Sequence, residues 1–98
     1  MSAIVLFVEL KLVPGARENF LARARQHREK VLENEPGCHR FDLLAPQEED
    51  DMVFLCEIYS DAAALETHLN TAYMKQYRED TGPMVAERKR ILCDLANG

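Results

Sequence analysis

Residues 35–59 read EPGCHRFDLLAPQEEDDMVFLCEIY, and this stretch decides the fold. Its opening Glu-Pro-Gly ends a helix, because the residue before proline resists the helical conformation and glycine tolerates the turn. Two apolar runs follow, Cys38–Ala45 and Met52–Tyr59, with Pro46 and four acidic residues between them. Apolar runs joined by a short polar loop are typical of a β-hairpin. The middle of the chain is therefore predicted to be two consecutive strands entered from a helix.

The segment before the hairpin predicts a strand followed by that helix. Residues Ala3–Val13 are rich in Val, Leu, Ile and Phe, and Pro14-Gly15 closes them as a turn. From Ala16 to Glu33, apolar positions recur at spacings of four, three and four, which is the period of one helix face. The positions on this face are Phe20, Ala24, His27 and Val31.

The segment after the hairpin predicts two helical pieces and a last strand. Ser60 or Asp61 can cap a helix over Ala62–Leu69, because a side-chain oxygen accepts from a free backbone N–H. A second helical piece runs from Thr71 to Glu79, and Gly82-Pro83 breaks it. The stretch Val85–Leu95 alternates as a strand.

The predicted order, β-α-β-β-α-β, is that of the split βαβ, ferredoxin-like α+β fold. One antiparallel sheet would carry its helices on one face, within one domain over residues 1–98. The other sheet face is partly apolar, and a chain of 98 residues has little left to cover it. The sequence therefore predicts a homodimer that buries this face against a second copy.

Composition and charge narrow the classes of partner. A formal net charge of -5 disfavours nucleic acid as a partner, since an acidic surface repels phosphates. The longest apolar run, Ala3–Val8, is too short to cross a bilayer, so no membrane span is expected. The three cysteines are an odd number without CxxC spacing, which predicts reduced thiols, no metal site and a cytoplasmic location.

Two titratable residues are the candidate catalytic groups. His68 follows Leu65 by one helical turn, on or beside the face that packs on the sheet. It is either a functional group, which carries a proton at a reference pKa of about 6.5 or orients a substrate oxygen, or a partly buried histidine hydrogen-bonded to a strand. Glu57 shares a strand face with Leu55, so it needs a partner. That partner is either His68 or the chain entering the next helix.

Six further residues are candidates for substrate binding. On the second strand, Phe41 is expected to share one face with His39, while Arg40 and Asp42 share the other. Arg40 either binds an anionic group or forms a salt bridge, near Asp42 or across the dimer. The aromatic and imidazole candidates either line a pocket or belong to the core; they are Phe41, Tyr59, Tyr73, Tyr77 and His27.

Several motifs together resemble the antibiotic biosynthesis monooxygenase family. They are EPGCHRFDLL at 35–44, EIY at 57–59, AALETHL at 63–69 and TAYMK at 71–75. The resemblance implies a dimer whose sheets pack into a barrel, with a pocket between sheet and helices in each subunit. The family includes cofactor-free monooxygenases of aromatic polyketides and quinols, haem-degrading enzymes, and an isomerase of a phosphorylated quorum-sensing signal.

Two departures narrow what the resemblance implies. The haem-degrading branch carries tryptophan where His68 stands, and this chain has no Trp, so haem degradation is not expected. Many relatives have Pro-His where this chain has Ala72-Tyr73, which removes a two-histidine mechanism. Three hypotheses follow: a cofactor-independent monooxygenase of a quinol-like or polyphenolic molecule, an isomerase of a small hydroxyketone that could be phosphorylated, or a non-catalytic dimer that binds a small ligand.

Overall fold

A four-stranded antiparallel sheet with the strand order β2-β3-β1-β4 forms the framework of the protein. The computed structural model describes residues 3–97. The predicted α+β ferredoxin-like fold is confirmed, with the second helical region divided into two helices and a short 3-10 turn over Gly82–Met84. The strands are β1 (Ile4–Leu12), β2 (Cys38–Leu44), β3 (Met52–Tyr59) and β4 (Val85–Asp94), and the helices are α1 (Arg17–Asn34), α2 (Ala62–Leu69) and α3 (Ala72–Thr81).

Side-chain caps set the starts of the two short helices. The Asp61 carboxylate accepts a hydrogen bond from the backbone N–H of Ala64 at 2.8 Å, and the Thr71 hydroxyl accepts from that of Met74 at 3.2 Å. Each cap satisfies a backbone N–H that has no partner within the helix. These caps fix where α2 and α3 begin, and the side chains that follow are oriented accordingly.

The core lies between the helices and one face of the sheet. Alternate residues of β1 and β3 face the helices, and the buried stripe of α1 covers them. The opposite face, which we call the open face, carries no helix among residues 3–97. Its central apolar side chains are half-buried; they are Val5, Phe7, Phe54, Cys56 and Ile58.

The expected alternation along β2 is wrong at His39. The pairing of β2 with β3 shifts register between Cys38 and Arg40, which is a β-bulge. A bulge adds one residue to a strand, so Cys38 and Phe41 both point into the core although they are three residues apart. His39 is exposed and does not share a face with Phe41. Arg40 is exposed too, where its guanidinium pairs with the Asp42 carboxylate.

None of the three cysteines, all of which lie within residues 3–97, forms a disulfide; Cys38 is buried and Cys93 is exposed. None of the helices within residues 3–97 has the length and apolarity needed to cross a membrane.

Candidate active site

His68 lies in the last turn of α2, with its imidazole between that helix and the sheet. Its side chain is 1% exposed, and Leu65, one turn earlier, is buried on the same face. The ring is surrounded by other rings, with centroid distances of 5.2 Å to Tyr59 and 5.6 Å to His27. A histidine buried this deeply needs polar partners, and two carboxylates approach it from different sides.

Glu35 is the partner of one imidazole nitrogen. Both of its carboxylate oxygens lie 3.1 Å from His68 Nδ1. The hydroxyl of Tyr73 donates a second hydrogen bond to Glu35. Glu35 is itself buried, and it was not among the residues that we singled out from the sequence. Its position at the head of the Glu-Pro-Gly motif was the available signal, although there it indicates a helix end rather than a site.

Gly37 allows the Glu35 turn to approach α2. A Cβ at Gly37 would lie 2.7 Å from the Cβ of Ala64, closer than side chains tolerate. The Gly37 carbonyl also accepts a hydrogen bond from the backbone N–H of Ser60 at 2.8 Å. A glycine is therefore needed for the turn to sit against the start of α2, one helical turn before His68.

Glu57 lies near the other imidazole nitrogen. Its Oε1 is 3.7 Å from His68 Nε2, which is longer than a hydrogen bond. The same oxygen accepts a hydrogen bond from the Tyr59 hydroxyl at 2.6 Å. Burial raises the pKa of Glu57 to about 7, and the Tyr59 hydrogen bond works against that rise. The pairing of Glu57 with His68 stays a prediction, since the two groups are adjacent without a hydrogen bond between them.

His27 stacks on Tyr77 with a centroid distance of 4.0 Å and an interplanar angle of 6°. Its ring meets that of Phe41 edge-on at 5.6 Å. Within the described part of the chain, neither ring nitrogen of His27 has a hydrogen-bond partner. Burial lowers its pKa to about 3, and the nearby His68 and Arg23 add to this effect. His27 is thus a neutral buried imidazole with unused hydrogen-bonding capacity.

A cavity of about 50 Å³ opens beside these groups, between the sheet and the helices. Of the candidates from the sequence, Phe41, Glu57, His68, His27 and Tyr77 line it. The rest of its wall is mainly apolar, and its rim carries three arginines, Arg78, Arg88 and Arg90.

The remaining candidates lie outside the cavity wall. Tyr59 is fully buried, with its ring centroid 5.2 Å from that of His68, while Tyr73 donates to Glu35 and lines a separate surface groove. Burial raises the pKa of both phenols, so each remains a hydrogen-bond donor at neutral pH. Arg40 is 62% exposed beside Asp42 and does not reach the cavity.

The arrangement can perform proton transfer in a largely apolar space. A carboxylate can only accept, so the proton shared between Glu35 and His68 belongs on Nδ1. In the neutral imidazole Nε2 then carries the lone pair, and a base oriented by a carboxylate in this way is a recurring catalytic element. Among residues 3–97, no group of three or more His, Cys, Asp and Glu side chains is arranged to hold a metal ion.

Comparisons with known proteins agree with this α+β fold. The family model of the antibiotic biosynthesis monooxygenases matches residues 3–80. Because that match covers most of the chain, the chain belongs to the antibiotic biosynthesis monooxygenase family.

Solved structures of candidate members of this family superpose closely on the chain. One from Bacteroides thetaiotaomicron VPI-5482 is 29% identical, with a TM-score of 0.85 over 92% of this chain and 86% of that one. Another from Caulobacter crescentus CB15 is 27% identical, with a TM-score of 0.93 over 98% and 92%.

A curated relative, an uncharacterised protein of Synechocystis, is 27% identical over 88 residues. The matched region is 90% of this chain but 59% of that protein, so the chain spans about three fifths of its relative's length.

Proposed function

We propose that the protein is a cofactor-independent monooxygenase that oxidises a quinol-like or polyphenolic small molecule. The observation that carries the proposal is the buried pair of Glu35 and His68, which leaves a basic Nε2 beside an apolar cavity. A quinol needs only a base and a dry space to become an electron-rich anion that reacts with O₂.

The proposed reaction begins when His68 Nε2 takes the proton from a quinol hydroxyl. Glu35 holds Nδ1–H and stabilises the imidazolium that forms. The quinol anion gives electrons to O₂, and a ring carbon forms a C–O bond to it, which yields a hydroperoxide after the imidazolium returns its proton. Loss of water breaks the O–O bond and leaves a hydroxyquinone. One quinol and one O₂ thus give one hydroxyquinone and one water.

Oxygen uptake tests this proposal. The protein is incubated with a panel of hydroquinones under O₂ and under N₂, and quinone formation and O₂ consumption are recorded. We expect turnover that depends on O₂ with a one-to-one stoichiometry. His68→Gln should abolish it, whereas His39→Gln, a change at an exposed histidine of β2, should not. Turnover without O₂, or full activity in His68→Gln, contradicts the proposal.

A second candidate function is isomerisation of a small hydroxyketone, which could be phosphorylated. The observation in its favour is the 3.7 Å separation of two proton carriers, His68 and Glu57, the second with a pKa near neutrality. One group could remove a proton from carbon while the other returns it to the neighbouring position. Exchange of a carbon-bound proton for deuterium under N₂, followed by NMR, detects this activity. If ligands bind but His68→Gln alters nothing except affinity, the protein is a non-catalytic binding dimer.

We also propose that two copies pair through the open face. Its half-buried apolar side chains, including Phe7 and Phe54 with ring centroids 5.7 Å apart, form a continuous patch across β1 and β3. Such a patch on a small domain is better buried against a second copy than left in water. The one-domain organisation and the cytoplasmic location also stay predictions from the sequence.

A further inference from the structure

We propose that Arg78, Arg88 and Arg90 form a subsite at the cavity mouth that binds an anionic oxyacid group of the substrate, either a carboxylate or a phosphate monoester. The proposal deepens the proposed function, because it uses the same cavity and adds a second recognition element to the substrate.

The three arginines reach the mouth from two elements. Arg88 and Arg90 lie on β4, where they pair in register with Leu10 and Val8 of β1. Those β1 residues are buried toward the helices, so the two arginines stand on the helix side of the sheet, above the cavity. Arg78 comes from α3, on the other side of the opening. The rim is therefore positive on both sides, in a chain whose net charge is -5.

These guanidinium groups have no carboxylate partner. Within residues 3–97, none of the three forms an ion pair, whereas Arg23 pairs with Asp80 and Arg40 with Asp42. Their charge nevertheless acts on the cavity, because Arg90 opposes the rise in the pKa of Glu57. Guanidinium groups match the two oxygens of a carboxylate or phosphate, so an unpaired set at a pocket mouth suits such a ligand.

The cavity interior independently indicates a polar ligand. His27 is 1% exposed and lines the cavity, and both of its ring nitrogens lack partners among the described residues. A buried polar group without a partner costs free energy, which a ligand oxygen bonded to His27 would relieve.

The size of the cavity determines where the two ends of the ligand lie. Its volume of about 50 Å³ is smaller than the ~150 Å³ that encloses a benzene molecule. A ring-sized substrate therefore enters partly, with its hydroxyl near His68 and His27 and its remainder at the mouth. A substituent on that remainder lies among the three guanidinium groups. The substrate class is thus a small phenolic or enolic molecule with an anionic group opposite the reacting oxygen.

Paired ligands that differ in charge test this subsite by calorimetric titration under N₂. One pair is 2,5-dihydroxyphenylacetate and its neutral amide, and the other is phenyl phosphate and phenol, so the two pairs distinguish carboxylate from phosphate. We expect the anion of at least one pair to bind about 10- to 100-fold more tightly than its neutral partner, the range for a charge-assisted hydrogen bond. Added NaCl should reduce this preference, since the rim is exposed to solvent.

The double variant Arg88→Met/Arg90→Met should lose the preference and keep the affinity for the neutral ligand. Arg25→Met/Lys75→Met is the matched control, because it also removes two positive charges, both from exposed helix positions that do not line the cavity. Equal affinity for both members of each pair, no measurable binding of either anion, or an unchanged preference in the double variant overturns the subsite.

The titrations do not need turnover, so they separate this proposal from the proposed function. An anion preference in a protein that consumes no O₂ supports the subsite and contradicts the monooxygenase. Conversely, the turnover of the double variant could fall by the same factor with charged and with neutral quinols. The arginines would then stabilise the reacting oxygen, and the subsite as proposed would be wrong.

Discussion

Both carboxylate oxygens of Glu35 lie 3.1 Å from Nδ1 of His68, although 33 positions separate the two residues. The contact fixes the orientation of the ring, and a carboxylate partner favours the tautomer with its proton on Nδ1. In Glu35→Gln, the amide can donate to Nδ1 and favour the other tautomer. We expect kcat to fall by about 10²- to 10⁴-fold, as for other histidines that lose an orienting carboxylate. The measurements are turnover and the His68 ¹⁵N chemical shifts.

Glu66→Gln is the control for Glu35→Gln, because Glu66 lies on the exposed side of α2, the helix that carries His68. It should leave both turnover and the tautomer unaltered. An unchanged tautomer in Glu35→Gln would show that Glu35 does not orient His68.

The pKa of Glu57 predicts a dependence of stability on pH. Burial raises this pKa from 4.5 to about 7, so the folded chain holds a proton that the unfolded chain has released between these values. The stabilisation from this group is complete below pH 4.5 and is lost as the pH rises through 7. Glu57→Gln has no such proton. Between pH 4.5 and 8, the free energy of unfolding of Glu57→Gln should rise relative to that of wild type by on the order of 3 kcal/mol, at about 1.4 kcal/mol per pKa unit.

Urea unfolding of wild type and Glu57→Gln at pH 4.5 and pH 8 measures this gain. Comparing the two proteins cancels the pH dependence of the groups that they share. A parallel pH dependence of the two proteins would mean that Glu57 is not protonated in the folded chain at neutral pH.

Gly37→Ala should destabilise the protein by about 1–3 kcal/mol, the usual cost of inserting a methyl group into a packed contact. The added Cβ meets Ala64 at 2.7 Å and forces the Glu35 turn away from α2, so activity should fall as well. The double variant Gly37→Ala/Ala64→Gly should regain activity. Gly82→Ala is the control, since a Cβ there has no neighbour within 4 Å. Chemical unfolding and turnover measure these effects. If Gly37→Ala changes neither stability nor activity, the turn does not approach α2 as closely as described.

A charge on the open face should separate the proposed dimer. In Phe54→Asp, a carboxylate replaces a central ring of the patch, and its burial against a second copy is costly. We expect wild type to elute as a dimer and the variant as a folded monomer in size-exclusion chromatography with light scattering. Leu92→Asp, an equally drastic change on the helix side of β4 where Leu92 is 55% exposed, should leave the dimer intact. A monomeric wild type would contradict the pairing.

His27→Phe should stabilise the protein while weakening its binding of ligands. A phenyl ring keeps the stack on Tyr77 and removes two unpaired buried nitrogens, which is worth about 1–2 kcal/mol. The pKa of His27 is lowered from 6.5 to about 3. As the pH falls below 6.5, His27 therefore becomes protonated in the unfolded chain but stays neutral in the folded chain. The advantage of the variant over wild type should therefore grow from pH 7 toward pH 4. Thermal unfolding across this range checks it, and a destabilised variant would indicate that His27 has a partner.

Local patterns were sufficient to predict most of the secondary structure. The bounds of β3 and α2 agree with the sequence prediction, because an apolar run after an acidic loop and a capping aspartate are signals contained within a few residues. Every other end lies within two residues of its predicted position. β2 was predicted as a strand, but its bulge was not, because the extra residue at His39 follows from pairing with β3 rather than from the order of side chains.

The sequence by itself determined the order of the elements and the burial of His68 and Glu57 at the junction of helix and sheet, since periodicity decides which side of an element is apolar. Tertiary structure decided which group meets which nitrogen. It placed Glu35 on Nδ1, left Glu57 3.7 Å from Nε2, and gathered arginines from α3 and β4 at one opening. A hydrogen bond depends on distances of a few tenths of an ångström, and these are set by how a turn at Gly37 packs on a helix far along the chain.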